Sequence, residues 1–209
     1  MFSLQTMFGK GDRFFTLLEA SAGAAQDSAS GLQALLEANG EPLLLDSFRA
    51  ARRREKELAG QISEALVNTF VTAIDREDIE AMSAALYRIP KTIEKFAERY
   101  AIVSTRVGGI DFASRAALLK SATEGVVEMV AELRHGMHLD RMRKLQDRLQ
   151  ATESEADRML LEAYRDLYTV SDDPIRVILA KDLFELLEKA IDRCRDVGNV
   201  IYSIVLKNS

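Results

Sequence analysis

Apolar residues recur at three- and four-residue intervals along almost the whole chain, the period of a helix that buries one face. Short breaks divide this pattern into six predicted helices. The first spans residues 10–39 and stops at Gly40, suited to the left-handed turn that follows a helix. The second starts at Glu41-Pro42 and runs to about Thr72, with proline in the first turn, where its missing N–H costs nothing. Asp75-Arg76-Glu77-Asp78-Ile79 opens the third: Asp75 is a good N-cap, and Glu77 and Asp78 place negative charge at the positive end of the helix dipole. This helix reaches about Ser104, with a kink expected at Pro90. Beyond Gly108-Gly109, a fourth runs from Asp111 to His135 and halts at Gly136. A fifth covers residues 138–168. The sixth follows the capping cluster Ser171-Asp172-Asp173-Pro174 and extends to about Leu206.

Helices this long, joined by tight turns, must pack antiparallel. The expected fold is all-α: six long antiparallel helices forming two three-helix bundles, residues 1–107 and 108–209, divided at the glycine break, or one continuous six-helix array. No Gly/Ser- or Pro-rich linker separates the halves, so a shared interface is expected. Composition agrees, with 3 Pro, no Trp and a preponderance of straight-chain residues that lose little freedom in a helix.

A formal net charge of −5 argues against a general nucleic-acid binder. The single cysteine, Cys194, cannot form an internal disulfide and needs no oxidising compartment. Met1–Phe8 lacks the charged start and apolar run of a signal peptide, and no stretch reaches about 18 apolar residues free of charge. A cytoplasmic location without membrane insertion is the expectation.

Candidate chemistry sits on the last two helices. The fifth has an apolar stripe of Met142, Leu145, Leu149, Ala156, Leu160, Ala163 and Leu167, and Glu153 occupies a gap in it. Asp157 follows one turn on, pointing the same way. On the sixth, Ala180, Leu183, Leu187, Ala190, Ile191, Cys194, Val197, Ile201 and Ile204 form the stripe, flanked by Glu185, Glu188, Asp192, Asp196 and Asn199. Oxygen ligands one turn apart on packed helices are how bundle metal sites are built, and carboxylates without histidine suit hard cations. The spacing equally allows a solvated acidic face paired with Arg158, Arg193 and Arg195. Cys194, on the apolar stripe, reads as a core residue, and His135 and His138 straddle Gly136 without a cysteine nearby. Gly9-Lys10-Gly11 is too short for a phosphate loop. Arg49, Arg52, Arg53, Arg54 and Lys56 form the densest basic run.

Four segments carry a family resemblance: Phe14-Phe15-Thr16-Leu17-Leu18-Glu19, Asp75-Arg76-Glu77-Asp78-Ile79, Glu153-Ser154-Glu155-Ala156-Asp157-Arg158, and the stretch from Leu187-Glu188-Lys189-Ala190-Ile191-Asp192 through Asn208. With these the chain resembles the PhoU-like proteins encoded beside Pit-type inorganic phosphate permeases. The resemblance implies two three-helix bundles and a regulator or accessory protein of phosphate transport acting on a Pit-like permease. It also implies metal ions held by acidic helix motifs, with iron, zinc or manganese as candidates. Glu153 and Asp157 match one motif and Glu188 and Asp192 the other; Glu185 and Asp196 are second choices. The first half departs from the family pattern. Arg52 and Lys56 stand where an acidic motif is usual, and Tyr87, Arg88 and Lys91 follow Leu86 where aspartates are usual. These cations either pair with acids of the neighbouring bundle or a second subunit, or hold an anion such as phosphate. The competing expectations are a ligand-free helical adaptor and a di-metal bundle enzyme. The latter is disfavoured because only Glu132 and His135 show the Glu-x-x-His spacing. A homodimer is compatible with so long an amphipathic surface.

Overall fold

The computed structural model describes the backbone of residues 4–38, 45–170 and 173–209, and the side chains of 13–38, 45–169 and 173–209. Six helices follow in order: α1 (Leu4–Glu37), α2 (Asp46–Val67), α3 (Arg76–Val103), α4 (Ala113–Arg134), α5 (Leu139–Val170) and α6 (Pro174–Asn208). There is no strand among the described residues. The predicted all-α architecture of six long helices is therefore observed.

The helix ends follow local chemistry. Asp173 caps α6, accepting from the N–H groups of Ile175 and Arg176 at 2.9 and 3.2 Å, with Pro174 in the first turn. Asp75 occupies the N-cap position of α3 in an extended conformation, but its side chain makes no capping bond; its backbone carbonyl accepts from Asp78 and Ile79. Gly109 and Gly136 take positive φ, +80° and +121°, where the chain turns into and out of α4, as the two glycine breaks require. α3 continues across Pro90, which is buried. The expected end of α2 at Thr72 is corrected to Val67. The apolar residues Phe70 and Val71 that prolong the pattern are exposed in the following loop rather than packed. Gly40, Glu41-Pro42, Ser171 and Asp172 lie outside the described residues.

α1, α2 and α3 pack on one another, as do α4, α5 and α6. α1 lies along α4, and α3 along α6, so that both long central pairs cross between the halves. The buried residues form one continuous core from Phe14 to Val205. At the joint, Phe112 meets Phe96 and Tyr100 of α3 edge-on at 5.9 Å and Phe184 of α6 at 4.7 Å. Further along, Arg134 of α4 clasps Glu19 of α1 through Nε and Nη2, both at 2.9 Å. Small residues on α1 (Ala22, Ala25, Ala29) are fully buried and let its neighbours approach.

Candidate functional site

The apolar stripes of α5 and α6 set the site. Every residue of the α6 stripe is buried, and so is every residue of the α5 stripe except the half-buried Leu160. Gly198 brings the two helices close: a Cβ there would lie 2.6 Å from Leu149 Cδ2 and 2.7 Å from Gln146 Oε1. With the stripes facing inward, the flanking polar residues of α6 fall against the edge of α5 and form a seam.

At one end of the seam, Gln146 Nε2 donates to Asn199 Oδ1 at 2.7 Å. Next, Arg195 of α6 donates to Glu153 of α5 and lies 3.5 Å from Asp192 one turn earlier. Glu153, at the gap in its stripe, keeps only 12% of its side chain exposed. Arg193 pairs with Asp196 at 2.7 Å. At the other end, Glu185 Oε1 accepts from Tyr164 Oη at 2.9 Å and from Lys181. These two donors hold the Glu185 carboxyl below its ordinary range, the lysine contributing more.

Glu188 lies between these clusters. Burial pushes its carboxyl up to about 7. The negative charge of Asp192, a proton shared with that residue, and the charges of Asp157 and Glu153 push the same way. The four first-choice residues read from the sequence are thus near enough to act on one another, with Asp157 at the exposed edge. Glu185 and Asp196 are each tied to their own cation.

The donor set is one that hard cations accept. As arranged, however, the residues do not fit a metal ion. Among the described residues, no three His, Cys, Asp or Glu side chains converge to hold one, and the Arg195 guanidinium lies across Glu153 and Asp192. What the seam can do as it stands is hold a proton at Glu188, whose carboxyl is pushed up to about 7 by burial.

The basic residues of the first half are only partly gathered. Arg52 stacks over the ring of Tyr87 at 3.8 Å and sits 3.8 Å from Glu94 of α3. Its carboxylate partner thus lies within its own half. Lys91 stands 6.0 Å from the same ring, while Lys56 and Arg88 are exposed on α2 and α3. Beside this group is a residue that the sequence reading passed over, Glu55, fully buried and bonded by Ser21 Oγ of α1 at 2.6 Å. Burial raises its carboxyl to about 7, against the lowering pull of Ser21, Arg52 and Arg54. The signal was available: Glu55 falls at core spacing between Phe48 and Ile62.

The remaining candidates are structural. Cys194 is buried with its thiol pushed up by that burial, and its Sγ points to the Ala190 carbonyl. His138 and Arg141 hold the buried Glu132, at 2.9 and 3.0 Å.

No family model matches the chain. It is 27% identical over 206 residues, 94% of either chain, to a Pit accessory protein of Rhizobium meliloti (strain 1021). It is 25% identical over 150 residues to the UPF0111 protein YkaA of Bacillus subtilis (strain 168), covering 69% of this chain and 70% of that one. Among solved structures, a PhoU-like protein from Shewanella oneidensis MR-1 superposes with a TM-score of 0.73 at 15% identity, over 93% of this chain and 99% of that one. PhoU from Pseudomonas aeruginosa does so at 0.72 and 19% identity, over 96% and 99%. The resemblance read from the motifs therefore extends over nearly the whole length of the molecule, and the chain has the PhoU-like fold.

Proposed function

We propose that this protein is a cytoplasmic accessory regulator of inorganic phosphate transport, acting on a Pit-type permease and carrying out no catalysis itself. The observation that carries this reading is the end-to-end correspondence with a Pit accessory protein, 94% of each chain. No helix among the described residues is long and apolar enough to cross a membrane, so the action on a permease is from outside the bilayer. The candidate nucleophile and bases support a non-catalytic role: Cys194 is buried, and the two histidines sit at a helix end, one tied to Glu132.

The α5–α6 seam is the proposed input. Glu188 changes charge near neutral pH, and Glu153 and Asp192 share one arginine that a competing cation would have to displace. A ligand or partner group that prefers one arrangement of these charges shifts the population the permease meets. A second reading, a ligand-free helical adaptor, is favoured by the internal pairing of the seam acids with Arg195, Arg193 and Lys181.

The test is retention of the tagged permease, solubilised in mild detergent, by the purified protein and by its Glu188→Gln/Asp192→Asn variant. The regulator reading expects retention that changes with pH or phosphate and is altered in the variant. Retention indifferent to both favours the adaptor, and no retention under any condition contradicts the function.

A further inference from the structure

The loop between α2 and α3 does the opposite of what a loop of its composition should. Residues 65–74 contain no charged side chain. Four of them, Ala65 and Leu66 at the end of α2 and Thr69 and Ile74 in the loop, are buried and anchor the segment. Three apolar ones point into solvent: Val67 at 82% exposure, Phe70 at 102% and Val71 at 61%. A contiguous exposed apolar group on a soluble protein marks a contact surface, and single exposed apolar residues do not.

The loop is also held in one shape. Arg76 reaches back from the first turn of α3, donating Nη1 to the Thr69 carbonyl at 2.7 Å and Nη2 to the Leu66 carbonyl. Asn68 Nδ2 donates to the Glu64 carbonyl at 2.9 Å. These bonds satisfy the end of α2 and hold the backbone that carries Phe70, so less backbone ordering is left to oppose binding.

Charge decides between occupants. The loop is flanked by four exposed acids, Glu64, Asp75, Glu77 and Glu80, against the one cation Arg76, while the buried Asp78 is matched by Lys207 at 2.6 Å, so acids outnumber cations around it. Such an acidic collar is repelled by the anionic inner leaflet of a membrane. It is attracted by the cytoplasmic loops of a membrane protein, which carry an excess of Lys and Arg. We infer that the last residue of α2 and the loop after it, residues 67–71, form a preformed docking finger that inserts Phe70 and its valine neighbours into an apolar cleft rimmed by basic residues on the cytoplasmic face of a membrane permease. This rests on the proposed function and names the surface through which it would act.

The experiment is co-sedimentation of the purified protein with inverted membrane vesicles from cells that contain the Pit-type permease and from cells lacking it. Protein-free liposomes of phosphatidylcholine and phosphatidylglycerol serve alongside. The variants are Phe70→Ser/Val71→Ser, whose side chains touch no core and leave the melting temperature unchanged, and Arg76→Ala, which keeps the apolar side chains but frees the loop. The expected result is binding to permease-containing vesicles alone, weakened about tenfold or more by the double substitution, as for a central apolar anchor. Arg76→Ala should cause a smaller loss. Equal binding by the protein and the double variant overturns the docking finger and leaves the permease reading standing. Binding to liposomes as strong as to permease vesicles overturns it in favour of a lipid surface. Failure of the unaltered protein to distinguish the two kinds of vesicle overturns the permease reading together with the finger.

Discussion

At Glu188 and Glu55 the folded protein holds protons that water would remove. Both carboxyls sit at about 7, in each case chiefly because burial disfavours the charge. In the unfolded chain they release their protons at about 4.3. Between these values the native state binds more protons than the unfolded state, so stability falls as pH rises. Their contribution is complete below about pH 4 and is lost as pH climbs through 7. Urea midpoints measured at pH 5 and pH 8 should show this fall. Glu55→Gln keeps an acceptor for Ser21 and cannot titrate, so it should flatten the dependence. A midpoint equally sensitive to pH in that variant would remove Glu55 from the account. Arg195 carries the complementary prediction. Arg195→Ala strips Glu153 of its cation at a site where it is mostly buried, and should cost about 1–3 kcal/mol. If the guanidinium does occupy a cation's place, millimolar manganese should recover part of the loss in the variant and leave the unaltered protein unmoved. Elemental analysis of the unaltered protein that found stoichiometric metal would contradict this. The carboxylates themselves were legible, because one-turn spacing puts them on one edge of each helix. That Arg195 rather than Arg158 reaches Glu153 was not, since the pair is 42 residues apart in sequence and depends on how α5 and α6 are rotated together. Arg158 instead serves Glu155 and Glu162 on its own helix.

Helices α5 and α6 approach through Gly198, where Leu149 and Gln146 fill the space a side chain would take. Gly198→Ala gains helix propensity, about 1 kcal/mol, but overpacks a tight contact at about 1–3 kcal/mol. The net expectation is a melting temperature lower by about 2–4 °C, and a rise would contradict the closeness of the contact. Phe112, just ahead of α4, is a larger test of the same kind. It touches aromatic rings on both α3 and α6, so Phe112→Ala should cost about 3–5 kcal/mol and loosen both halves together. Unfolding followed at two positions, one in each half, should remain a single transition in the unaltered protein. At this scale the sequence was most readable. The three- and four-residue period located all six helices, because burying one face is what makes a helix stable in water. It failed at the end of α2. Phe70 and Val71 continue the apolar pattern beyond Val67 yet face solvent, and a pattern cannot tell an apolar residue kept for the core from one kept for a partner.

The whole molecule joins two acid–base arrangements of opposite character on one continuous core. The α2–α3 side presents Arg52 against Tyr87 and Glu94, and the α5–α6 side presents carboxylates spanned by Arg195. α1 packs against α4 and α3 against α6, so the two sides share one core. The proposed regulation of phosphate entry through a permease has a direct readout in whole cells. It is tested most directly by the initial rate of radiolabelled phosphate uptake in cells whose Pit-type permease is intact and whose copy of this protein has been deleted. Complementation would use the unaltered protein or the Phe70→Ser/Val71→Ser variant. The expected result is a changed rate on deletion, restored by the unaltered protein and not by the variant; uptake identical with and without the protein, at low and high phosphate alike, would overturn the proposed regulation.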